Sequence, residues 1–336
     1  MRYDIVTIGD AMKDFFVFPA IDEMRKPVSG ADLHYRQTDE KFLVLGYGDK
    51  ITLSDSYDDL GGTACNVAAA TSKLGLKTAL ISAYGKDDIG REIIQRVSKT
   101  KIDTSYLKMK NKPKSSFSVV ISFKGERSIL AYHGFSPQDF DIPKDLETDW
   151  LYVGSTGEGY ESLFSKITAL AAEKNVKIAF NPGSVQIHDG LNALMGLLRV
   201  VDVLFLNKEE ARMLSGVTGL TPVKEMAKIL HLTGPKTVVI TDGNEGAYVF
   251  ENGEFNKVGV YPGHRVEATG AGDAFASAFL SAKIKGESLL TSLKWGVTNS
   301  ASVVEKYGAQ QGLLSEKTIK ERVEKYKWPA EGLRFS

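Results

Sequence analysis

Cysteine is nearly absent from this 336-residue chain, which has only Cys65. A disulfide framework and a thiolate metal site are therefore both excluded. In Gly61-Gly62-Thr63-Ala64-Cys65-Asn66-Val67-Ala68 the thiol reads as a small buried residue, since no histidine stands nearby to make it a nucleophile. An excess of one charge is missing as well. The 42 basic and 42 acidic residues cancel, which argues against a nucleic acid or an anionic membrane as the main partner. No window approaches the roughly 18 uncharged apolar residues that read as a membrane span. The N-terminal Met-Arg-Tyr-Asp-Ile-Val-Thr-Ile-Gly-Asp is charged at its start, and its apolar run is too short for a signal peptide, so the expected location is the cytoplasm. Histidines at 34, 133, 188, 231 and 264 follow no metal spacing and read as surface or packing residues.

What the chain does have is a rhythm. Short apolar runs at 5–9, 79–83, 150–153, 178–180, 203–206 and 238–240 are too short for helices and lack alternation, as expected of strands covered on both faces. Helical patterns at 66–74, 89–98, 161–173, 208–214, 223–232 and 273–285 fall between and after them. The expected fold is α/β: a doubly wound, mainly parallel sheet with helices on both faces. Its strands run out into Gly9-Asp10, Gly154-Ser155, Asn181-Pro182-Gly183, Asn207-Lys208-Glu209-Glu210 and Thr241-Asp242-Gly243. Ligands of open α/β sheets bind off the carboxyl ends of strands, so these polar segments are expected to converge.

Two stretches break the rhythm. Within 33–59, the runs 41–45 and 49–53 read as strands joined by Gly46-Tyr47-Gly48, and 116–132 reads as a hairpin turning at Lys124-Gly125-Glu126. The expected division is a catalytic α/β domain of 1–32, 60–114 and 134–336, with a small antiparallel sheet from 33–59 and 115–133. Such a sheet is a lid over substrate, the surface of a homodimer, or both.

The stretch from Val266 to Phe275 (Val-Glu-Ala-Thr-Gly-Ala-Gly-Asp-Ala-Phe) carries the chemistry. Gly270 and Gly272 permit a tight turn, and the free N–H groups of a starting helix suit a phosphate. Asp273 would repel that phosphate unless it has a task, such as taking the proton of an attacking hydroxyl. Read alone, the stretch is also a tight turn with an acid favouring the helix dipole. A second pair, Gly61 and Gly62, precedes Asn66, whose amide offers a donor and an acceptor to a polyhydroxylated ligand, or simply caps a helix.

Taken together, the motifs resemble those of the ribokinase-like (PfkB) family of carbohydrate kinases, and the resemblance spans nearly the whole chain. It rests on Gly61-Gly62-x-x-x-Asn66 followed by Leu74-Gly75, on Asn207-x-x-Glu210, on Thr241-x-Gly243-x-x-Gly246 and on Thr269-Gly-Ala-Gly-Asp273. It implies a lidded α/β fold and an ATP-dependent kinase. Asp273 would be the base, and the amides of Gly270, Ala271 and Gly272 the anion hole. Asn207 and Glu210 would organise Mg²⁺ through water, while Thr241, Gly243 and Gly246 receive the nucleotide. Asp14, Gly61, Gly62 and Asn66 would hold the sugar, and Asn181 would stand on the phosphate side. Glu267-Ala268 departs from the usual Asp-Thr, which puts a monovalent cation in doubt. Thr63 stands where ribokinases often have Lys.

The implied activity is transfer of the γ-phosphoryl group to a hydroxyl of a small sugar, in the manner of a ribokinase or fructokinase. A nucleoside kinase is the alternative, with Tyr35, Phe42, Tyr47, Tyr57, Phe117 and Phe123 as candidates for stacking a base or for packing. A non-catalytic sugar-binding regulator is a further reading. A dinucleotide fold is disfavoured because Gly270-x-Gly272 lacks a third glycine and lies late in the chain. A Walker loop is absent, since Gly85-Lys86 is followed by Asp87.

Overall fold

The computed structural model describes residues 1–20, 48, 50–112, 114–123 and 126–329. Within them the strands are β1 (Tyr3–Ile8), β2 (Met12–Pro19), β3 (Leu53–Gly61), β4 (Thr78–Tyr84), β5 (Leu107–Met109), β6 (Phe117–Phe123), β7 (Glu126–Tyr132), β8 (Thr148–Val153), β9 (Lys177–Phe180), β10 (Val201–Asn207), β11 (Thr237–Thr241), β12 (Ala247–Glu251) and β13 (Glu254–Val258). The helices are α1 (Thr63–Lys73), α2 (Asp88–Val97), α3 (Glu161–Lys174), α4 (Ser184–Asp189), α5 (Leu191–Leu198), α6 (Lys208–Ser215), α7 (Val223–His231), α8 (Ala271–Ile284), α9 (Leu289–Val303) and α10 (Glu316–Lys325).

Nine strands form one sheet in the order β13-β12-β11-β10-β9-β8-β1-β4-β5. Its pairs from β5 through β11 are parallel, and β12 and β13 add an antiparallel edge. Helices cover both faces, as the unalternated strands require. Phe164, Ile167, Leu194, Leu197, Met226 and Leu230 pack on one side, while Val67, Phe275, Phe279, Leu293 and Val297 pack on the other. Fully burying a side chain such as Phe279 contributes about 1.5–3 kcal/mol.

The smaller sheet has the order β3-β2-β6-β7. Its composition differs from the expected division, because Met12–Pro19 leaves the 1–32 segment to become its second strand. It is also not wholly antiparallel: β2 runs parallel to β6, while β3 pairs antiparallel with β2 and β7 antiparallel with β6. The expected hairpin is present as β6 and β7. The strand expected at 41–45 lies outside the described residues. The base of this sheet is fastened to α2 through Lys13, which pairs with Glu92 and Asp58, and through Arg96, which pairs with Asp58.

Candidate active site

Gly61 lets Asp14 lie across the start of α1. A Cβ on Gly61 would fall 1.9 Å from an Asp14 carboxylate oxygen, so no other residue fits there. Asp14 is thereby held in the smaller sheet beside its register partner Ser118, whose Oγ donates to Oδ1 at 2.6 Å. Burial pushes the Asp14 carboxyl up to about 6, partly countered by the Ser118 bond.

Gly270 makes the second turn. It caps α8 with φ 75°, and a Cβ there would meet that of Ala309 at 2.4 Å. The Ala271 N–H donates to the Ala268 carbonyl at 3.2 Å, so of the amides expected to bind an anion this one is already engaged. Gly272 and Asp273 lie in the first helical turn, whose N–H groups have no carbonyl within the helix to meet.

Asp273 lines one of two cavities that share the loop 270–273. The first, about 290 Å³, is lined by Asp14, Gly62, Asn66, Arg127, Gly270 and Asp273. The second, about 330 Å³, is lined by Thr241, Gly243, Gly246, Ala271, Gly272 and Phe275. The loop 270–273 is the wall between them. Asn66 Nδ2 donates to Asp273 Oδ2 at 2.8 Å, and Asn66 Oδ1 accepts from Gln310 Nε2 at 3.0 Å. Burial pushes the Asp273 carboxyl up to about 7, opposed by the Asn66 bond and the Arg127 charge.

Glu267 explains how the loop is held without the usual Asp-Thr. Its Oε1 accepts from the Thr269 N–H at 2.7 Å and from the Thr269 hydroxyl at 2.6 Å. Arg127 Nε approaches Oε1 to 4.0 Å, and Oε2 is buried with no hydrogen-bond partner among the described residues.

Other expected site residues sit elsewhere. Asn207 and Glu210 cap α6 reciprocally: Asn207 Oδ1 accepts from the Glu210 N–H at 2.9 Å, and Glu210 Oε2 accepts from the Asn207 N–H at 2.8 Å. Neither lines the two cavities, although the Glu210 charge is felt at Asp273. Asn181 is held in the sheet, donating to the Phe205 carbonyl at 3.1 Å and accepting from Tyr152 at 3.3 Å. Asp87, after Gly85-Lys86, caps α2 through the Gly90 N–H at 3.0 Å. Among the described residues no three His, Cys, Asp or Glu side chains cluster as a metal cage. A Mg²⁺ ion would fit here only with water and phosphate oxygens as most of its ligands.

Two residues that line the first cavity, Arg127 and His133, and a third that bonds to its Asn66, Gln310, were missed. Arg127 and His133 fall on the inward stripe of β7 and the residue after it, with Ile129 and Ala131 between them. His133 Nδ1 lies 2.7 Å from Asp10 Oδ2, which raises the imidazole above its ordinary pKa. The period-two spacing 127, 129, 131, 133 was available in the sequence; the pairing with Asp10 was not. Gln310 had no motif to announce it. The described candidate aromatics pack on other rings, with Tyr57 stacked on Phe16 at 4.4 Å and Phe117 against Tyr132 at 5.3 Å. Tyr35, Phe42, Tyr47 and the Phe123 side chain lie outside the described residues.

The model of the pfkB family carbohydrate kinases matches residues 32–316. A ribokinase of Staphylococcus aureus is 28% identical over 262 residues, covering 75% of this chain and 84% of its own. The structure of Arabidopsis thaliana ribokinase complexed with ribose and ATP superposes with a TM-score of 0.76 at 20% identity, covering 97% of this chain and 100% of that one. A Methanocaldococcus jannaschii nucleoside kinase gives a TM-score of 0.76 at 21% identity, covering 96% of this chain and 99% of that one. At these identities the two structures are likenesses of fold.

Proposed function

Because the chain belongs to the pfkB family of carbohydrate kinases, we propose that Asp273 is the base with which it phosphorylates a hydroxyl of a small sugar. That the chain is a kinase acting on sugars or nucleosides follows from its family and relatives. The observation that carries the residue assignment is that Asp273 lines the first cavity while its loop neighbours Ala271 and Gly272 line the second, with the Asp273 carboxyl raised to about 7.

In this reading the acceptor occupies the cavity of Asp14 and Asn66, and ATP enters the cavity of Thr241, Gly243 and Gly246. Asp14 accepts hydrogen bonds from the acceptor's hydroxyls. Asp273 removes the proton of the hydroxyl that attacks. A bond forms between that oxygen and the γ-phosphorus, the bond from phosphorus to the bridging oxygen breaks, and ADP leaves. The Gly272 amide and the start of α8 face the charge that gathers on the phosphoryl oxygens. A carboxyl titrating near neutrality is suited to this work, since proton transfer is most effective when the base's pKa lies near the working pH. Mg²⁺, bound through water near Glu210, would neutralise phosphate charge. The smaller sheet bears Asp14 and Arg127 and acts as a lid over the acceptor; a dimer formed through the same sheet is compatible with it.

The sugar reading is favoured over a nucleoside because Tyr57 and Phe117 pack against other rings and neither lines the acceptor cavity. The test is ADP release with ribose, fructose, other pentoses and hexoses, sugar phosphates, adenosine and cytidine. Turnover of the nucleosides with none of the sugars would overturn it.

A further inference from the structure

Gln310 lies in the loop between α9 and α10, and nothing in the reading above uses it. Its Nε2 donates to Asn66 Oδ1 at 3.0 Å, and Asn66 Nδ2 donates in turn to Asp273 Oδ2 at 2.8 Å. The two bonds run in series and end on the carboxylate. We propose that Gln310 is a positioning residue for phosphoryl transfer, holding through Asn66 the orientation of the Asp273 carboxylate toward the acceptor hydroxyl. The proposal rests on the reading of Asp273 as base.

The physical argument is directional. An amide has a donor end and an acceptor end, and rotation of the group exchanges them at little steric cost. A carboxylate can only accept, so it needs the Asn66 NH₂. With Oδ1 held by Gln310, the Asn66 amide is fixed at both ends, and each hydrogen bond in such a series polarises the next. Without Gln310 the acceptor end of Asn66 is released and the amide can turn away. A carboxylate at position 310 would be worse, because it would compete with Asp273 for the same NH₂ and add a negative charge. The other groups felt at or facing Asp273 are Asp14 from β2, Arg127 from β7, Glu210 from α6, Tyr152 from β8 and Cys65 from α1, and none of these lies on the loop of Gln310.

The neighbouring Gln311 supplies a control. Its Nε2 donates to Asp59 Oδ2 at 3.1 Å, away from the base. The experiment compares the pH dependence of kcat for the unaltered enzyme, Gln310→Leu, Gln310→Glu, Gln311→Leu and Asp273→Asn. The acidic limb should move to higher pH by about half a unit to one unit in Gln310→Leu, the size of one neutral hydrogen bond. It should move further in Gln310→Glu and stay in place in Gln311→Leu. KM for ATP should hold throughout. If Asp273→Asn is inactive while both Gln310 variants keep the unaltered limb, the positioning role is overturned and the base survives. If Asp273→Asn remains active, the base assignment itself falls.

Discussion

Asn66 and Asp273, 207 residues apart in the chain, are joined by a 2.8 Å hydrogen bond from the amide of one to the carboxylate of the other. It links the start of α1 to the start of α8, so two glycine motifs separated by most of the sequence are two sides of one site. Removing the donor should both loosen the carboxylate and raise its pKa. Asn66→Ala is expected to lower kcat/KM by about tenfold to a hundredfold, as for losing a hydrogen bond to a charged group. Steady-state kinetics with the preferred acceptor check this, and an unchanged kcat/KM would mean that the bond has no part in catalysis.

The pH dependence follows from the same carboxyl. Burial raises Asp273 to about 7, and a base works only when deprotonated. The rate should therefore fall as pH drops through about 7, with Asp14, raised to about 6, adding a steeper loss below that. A log kcat/KM profile that stays flat down to pH 5 would contradict the assignment.

Stability should show the opposite preference. The Asp273 pKa is higher in the folded chain, about 7, than the ordinary 3.8, so between these values the folded state binds more protons. Folding stability is therefore lost as pH rises through that window, and the full penalty is present above it. Asp273→Asn removes the penalty. Its thermal midpoint should exceed that of the unaltered protein at pH 8, by a few degrees, and match it near pH 4. Equal midpoints at pH 8 would mean that the carboxylate is not strained by its surroundings.

Potassium is expected to be dispensable. Glu267 holds the loop by two hydrogen bonds to Thr269, and Arg127 supplies positive charge 4.0 Å away. Turnover should be the same in potassium and choline chloride. A rise with potassium would contradict this, and would direct the search for a cation to Glu267 Oε2, which is buried with no hydrogen-bond partner among the described residues.

Much of this was legible in the sequence, and the reasons are physical. Buried parallel strands leave unalternated apolar runs, so β1, β4, β8, β9, β10 and β11 were readable, and the turn glycines at 61, 62 and 270 marked both close approaches. Residues 12–19 were harder. Met-Lys-Asp-Phe-Phe-Val-Phe-Pro pairs on both sides, with β3 and β6, and a sequence does not state which sheet a strand joins. The Asn207-x-x-Glu210 motif was visible, but its capping role is a matter of local geometry that the spacing alone shares with a metal function. Gln310 and His133 act through partners 244 and 123 residues away, and such pairings exist only once the chain has folded.

The most direct measurement is ADP release by Asp273→Asn, with ATP binding followed in parallel. The substitution removes a proton acceptor without adding bulk. The account predicts turnover lower by about 10²–10⁴ with ATP affinity nearly unchanged. Turnover within tenfold of the unaltered enzyme would contradict it.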